Sequence, residues 1–119
     1  MSNPGQLPPQ IQERLQRLQN LQNTLQQLLS QKQQIEMEKM ESEKALETLK
    51  EVDADSKVYK SVGAVLVQKP KDDVVKELEE RIDFLEMRLK VVVKQEDKTK
   101  EKMTGIQETL QKELGMPTQ

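Results

Sequence analysis

A chain of 119 residues that is 34% charged, 34% hydrophobic and only 2% aromatic has few of the bulky side chains that fill a thick globular core. It has no Cys, which excludes a disulfide frame, a thiolate nucleophile and the usual Cys-type zinc site, and no His, the commonest general base and metal ligand. Net charge is −2 with the two signs interleaved, so neither a basic stripe for nucleic acid nor a polybasic block for a membrane surface is expected, and the partners should be proteins.

Residues 1–9 contain Pro4, Gly5, Pro8 and Pro9, which fix φ and remove helix donors, so they are expected to form a flexible lead-in. Nothing there pairs a basic region with an apolar stretch. No apolar run nears the ~20 residues that span a bilayer, and a soluble, cytoplasmic chain is expected.

The first helix is predicted over 10–52. Ile11, Leu18, Leu25 and Leu46 take a positions of a heptad, and Leu21, Leu28, Ile35 and Leu49 take d. Lys32 and Lys39 also fall at a and Ser42 at d, which loosens the middle of the seam. Arg14 falls at d with Leu15 one step beyond, which predicts a register shift near the start. The lysine stems should cover the seam while their ammonium groups reach outward.

Between the helices the pattern changes. Val58, Tyr59 and Val62 precede Gly63, and Val65, Leu66 and Val67 follow it, so 57–68 reads as two short strands and a tight turn. Alone, a two-stranded hairpin is marginal, and its unpaired edges and apolar faces invite partners, which makes this segment the candidate assembly surface. Asp53-Ala54-Asp55 resembles the opening of a calcium loop. Val58 where that loop needs Gly, and Ala64 where it needs Glu, make it a helix-ending turn instead.

The second helix is predicted over 72–114, with Asp72 or Asp73 as N-cap. Val75, Leu78, Ile82, Leu85, Leu89 and Val92 follow at alternating steps of three and four. Glu96 and Thr99 interrupt the seam before Met103, Ile106 and Leu110 resume it, and Gly115 and Pro117 end the helix within a flexible tail, 115–119. Helices of this matched length suit antiparallel pairing, with facing residue numbers summing to roughly 125.

The fold class is therefore mainly α: a long antiparallel two-helix coiled coil, a single domain with one β-hairpin at the inter-helix connection, oligomerising through that hairpin. Such a fold offers no closed pocket, and Gly5, Gly63, Gly105 and Gly115 are too dispersed for a phosphate loop, so neither catalysis nor a cofactor is expected. Leu7, Ile11, Leu15 and Leu18 at one helix end and Ile106, Leu110, Leu114 and Met116 at the other allow two readings. They can pack on one another, or a tip loosened by Glu96, Thr99 and Gly105 can expose them to another protein's apolar segment.

The run Val58-Tyr59-Lys60-Ser61-Val62-Gly63-Ala64-Val65-Leu66-Val67 resembles the strand-turn-strand signature of the prefoldin β subunits, most closely the archaeal type. The order of Gln-rich helix, acidic stretch around Glu43-Lys44-Ala45-Leu46-Glu47, single hairpin and charged heptad helix is similar as well, so the resemblance covers nearly the whole chain. It implies a hexamer of two α and four β subunits whose hairpins form β-barrel platforms. It further implies an ATP-independent holdase that grips unfolded client proteins at its coiled-coil tips and passes them to a group II chaperonin. A structural spacer or adaptor that recognises one folded partner is the alternative carried by the same heptads.

Overall fold

Two helices of equal length flank a β-hairpin in the computed structural model, which describes residues 7–115: α1 (Pro9–Glu51), β1 (Val58–Val62), β2 (Val65–Lys69) and α2 (Lys71–Glu113). Pro9 opens α1, where its missing N–H costs nothing and its fixed φ suits the helix. The Pro8 carbonyl accepts from the Ile11 and Gln12 amides, each at 3.0 Å, and Gln12 Nε2 donates to the Leu7 carbonyl at 2.8 Å.

The expected cap of α2, Asp72 or Asp73, is corrected, because the helix starts one residue earlier than expected. The helix begins at Lys71, and the Pro70 carbonyl accepts from Val74 N at 3.2 Å. Asp72 and Asp73 lie inside the first turn, where their charge favours the positive end of the helix dipole. At the other end Gly115 adopts φ 66, and its amide donates to the Lys112 carbonyl at 3.3 Å, as expected of a glycine stop.

The strands pair antiparallel from Val58↔Lys69 to Val62↔Val65. Gly63, at φ 59, is followed by Ala64, and among the described residues none other than glycine has positive φ, which is the pattern of a type II′ turn. Alternation along the strands puts Val58, Lys60, Val62, Val65, Val67 and Lys69 on one face and Tyr59, Ser61, Leu66 and Gln68 on the other.

Packing divides the described chain into two units, each containing a stretch of both helices. One comprises 32–91, with the hairpin; the other comprises 7–31 and 92–115. In the hairpin unit Ile35, Ser42, Val58 and Leu85 are buried, Leu85 completely at 0% exposure. Lys39 sits at its core position with its ammonium reaching Glu86 at 3.4 Å and Glu43 at 3.7 Å, so the stem covers the seam as expected. Arg81 donates to Glu38 at 3.3 Å, a pair between flanking heptad positions that antiparallel helices bring together.

In the second unit Ile11, Leu28, Val92 and Leu110 are buried with Glu96 and Thr99, so the polar layers are packed closed; Thr99 Oγ1 donates back to the Gln95 carbonyl at 2.7 Å. The predicted register shift near Arg14 does not occur. Arg14 keeps its core position, half-buried and ion-paired with Glu113 on α2, and Leu15 is left on the surface. A long stem with a charge at its end satisfies both the seam and the partner, so the helix need not rotate to bring Leu15 inward.

Candidate functional site

Five residues of exposed apolar surface crowd onto one small hairpin. Tyr59, Val62, Val65, Leu66 and Val67 are all exposed, Val65 at 60% and Leu66 at 71%, while Val58 is buried. The two sheet faces are both represented, and neither the length of the strands nor the sheet size allows the hairpin to cover itself. Gly63 shapes the turn, and apart from its two chain neighbours no residue comes within 4 Å of where its Cβ would be, so its role is conformational.

One carboxylate anchors this surface. Glu77, in the second turn of α2, accepts from Lys60 Nζ of β1 at 2.7 Å through Oε2 and from Lys69 Nζ of β2 at 3.3 Å through Oε1. Lys71 adds a bond from its ammonium to the Val52 carbonyl at 2.8 Å, closing the end of α1 onto the start of α2. The Lys60 ammonium, then that of Lys69, holds the Glu77 carboxyl below the ordinary glutamate range.

The sign of the linkage follows from that direction. The clamp contributes fully above the ordinary glutamate value and is lost as pH falls through the lower folded-state value. A carbon-13 carboxylate titration is expected to place the Glu77 midpoint below the ordinary glutamate value, and Glu77→Gln to loosen the hairpin without loss of helicity. A midpoint at the ordinary glutamate value would contradict the clamp.

The end residues do not behave as one group. Ile11 and Leu110 are buried in the seam and hold the pair together, Leu18 and Ile106 are half-buried, and Leu7, Leu15 and Leu114 are exposed. Met116 lies outside the described residues.

Three features escaped the sequence reading. The Glu77 clamp joins residues far apart in sequence, and only the same-face spacing of Lys60 and Lys69 across the hairpin hints at it. Phe84, Met87 and Val91 form an exposed apolar line on α2 at steps of three and four, with the Arg88 guanidinium 5.9 Å from the Phe84 ring centroid. Met37 and Met40 are likewise exposed on α1. No helix among the described residues is long and apolar enough to cross a membrane, and none of their acidic side chains gather into a group of three or more that could hold a metal.

Comparison with known proteins follows the same architecture. The model of the family described as "Prefoldin subunit" matches residues 12–116. Prefoldin subunit beta of Methanothrix thermoacetophila is 42% identical over 93% of this chain and 92% of its own. Prefoldin subunit beta of Archaeoglobus fulgidus is 43% identical over 90% of this chain and 92% of its own. Among solved structures, the prefoldin beta subunit from Thermococcus strain KS-1 superposes with a TM-score of 0.86 at 38% identity, covering 94% of this chain and 98% of that one.

Proposed function

The chain belongs to the prefoldin subunit family, and from that membership we propose that it is one subunit of an ATP-independent holding chaperone. The hairpin's exposed residues join it to like and related subunits, an assembly of two α and four β chains. Apolar residues beside the start of α1 and the end of α2 take hold of non-native polypeptides, and the complex hands them to a group II chaperonin. The setting is the cytoplasm, and the work is binding without catalysis.

The observation that carries this reading is the contrast between buried and exposed leucines at those ends. A stable pair is already built by Ile11 and Leu110, so Leu7, Leu15 and Leu114 are surplus to packing and remain accessible. Weak apolar contacts repeated on several subunits add through effective concentration, which gives grip without a tight interface and lets release proceed one subunit at a time.

Replacing Leu7, Leu15 and Leu114 together by Ser tests the reading. Each change removes contact worth about 1 kcal/mol, so binding of a denatured protein is expected to weaken by at least about tenfold while assembly mass and helicity stay unchanged. Undiminished protection against aggregation by the triple variant would remove these residues from client contact.

A further inference from the structure

The exposed leucines of the second unit follow a pattern that reaches past the helix ends. In the register that puts Ile11 at a, Leu15, Gln22 and Leu29 occupy successive e positions of α1. All three are exposed, Leu15 at 40% and Leu29 at 39%. On α2 the e positions of this unit are Val93, Lys100, Gln107 and Leu114, of which Val93 is half-buried and Leu114 is 44% exposed. In an antiparallel pair the e positions of both helices line the same side of the seam, so these residues interleave along one flank.

That flank is nearly free of charge in a chain that is 34% charged. The b positions bordering it on α1 are Gln12, Gln19 and Gln26, and those on α2 are Asp97, Thr104 and Gln111. Lys100 and Asp97 are its charged groups. The opposite flank differs, because its g positions carry Arg17 and Lys102 with Thr24 and Thr109 and have no exposed leucine.

Resting on the client-holding function proposed above, we infer that this flank is a binding strip for an extended segment of non-native polypeptide, running from Leu114 and Leu15 inward to Leu29 and Val93. The chemistry fits that occupant on two counts. An unfolded segment carries main-chain N–H and C=O groups without partners, and glutamine amides offer both a donor and an acceptor to such groups whatever the sequence. Its scattered apolar side chains find leucines at intervals rather than a deep pocket. From Leu15 to Leu29 the helix rises about 21 Å, a distance that an extended chain covers in roughly six residues. The favoured client segment thus has apolar residues about six apart.

A photoreactive benzoylphenylalanine placed singly at position 15, 22, 29 or 24 in the assembled complex tests the strip, with reduced and carboxymethylated α-lactalbumin as the unfolded probe. Strong adducts at 15, 22 and 29, at several times the yield at 24 on the opposite flank, are the expected result. Adducts at 15 alone would overturn the strip and leave the end-residue reading standing. Equal yields at all four positions would overturn its side-selectivity and hence the strip, and none at 15 would take down the end-residue reading with it. As a second measurement, Leu29→Lys should weaken probe binding by about fivefold, the effect of withdrawing part of one leucine's contact, whereas Thr24→Lys should leave it unchanged.

Discussion

Val65→Asp is expected to break the assembly while leaving both helices folded. Val65 faces its cross-strand neighbour Val62 and is 60% exposed, so any partner that joins the hairpin must cover it. Losing a covered valine costs about 1.5–3 kcal/mol, and an unpaired carboxylate in its place adds a desolvation penalty of similar or larger size. Together these weaken each contact by at least about 100-fold. Sedimentation of the variant with its partner subunits should then show small species, with helical circular dichroism close to that of the parent. An unchanged large species would take the hairpin out of assembly. Because Val65 makes little contact within its own chain, loss of folding would not be the explanation for loss of mass.

Leu85→Ala should have the largest effect on the folded chain itself. Leu85 is the one fully buried large side chain among the described residues, set where α2 passes α1 in the hairpin unit. A narrow two-helix seam has few other residues that can collapse into the space, so the loss should fall in the range of about 2–5 kcal/mol known for buried leucines. Thermal unfolding followed by circular dichroism should drop by on the order of 10 °C or more. A drop no larger than that of the exposed control Met87→Ala would mean that the seam does not carry stability at this point.

The heptads made the helices legible from sequence, because apolar residues at alternating steps of three and four have no other sensible arrangement. Valine and tyrosine on both sides of Gly63 made the hairpin legible in the same way. What remained hidden depended on side-chain reach. Arg14 and Lys39 are charged residues at core positions, and sequence alone cannot say whether the helix turns away or the stem bridges the seam to Glu113 or Glu86. The start of α2 was misjudged because Asp72 is a good cap by residue type, whereas the chain enters the helix one residue earlier through the Pro70 carbonyl.

At the candidate site the outcome was divided. Apolar residues at the helix ends were recognised as a set, yet their heptad positions separate them: Ile11 and Leu110 fall at core positions and are buried, Leu15 and Leu114 fall at the flank and are exposed. Leu29 shares that flank position and escaped notice because it lies away from the ends. The Glu77 clamp was invisible for a different reason, since it depends on how a hairpin is set against a helix and not on any local pattern.

Light scattering of a denatured protein diluted into buffer without nucleotide tests the central claim most directly, with this chain and a prefoldin α subunit present as the proposed complex. The complex should suppress aggregation at near-stoichiometric concentration and release the client when a group II chaperonin is added. Aggregation as fast as in the absence of the complex, or protection that appears only with ATP, would contradict the account.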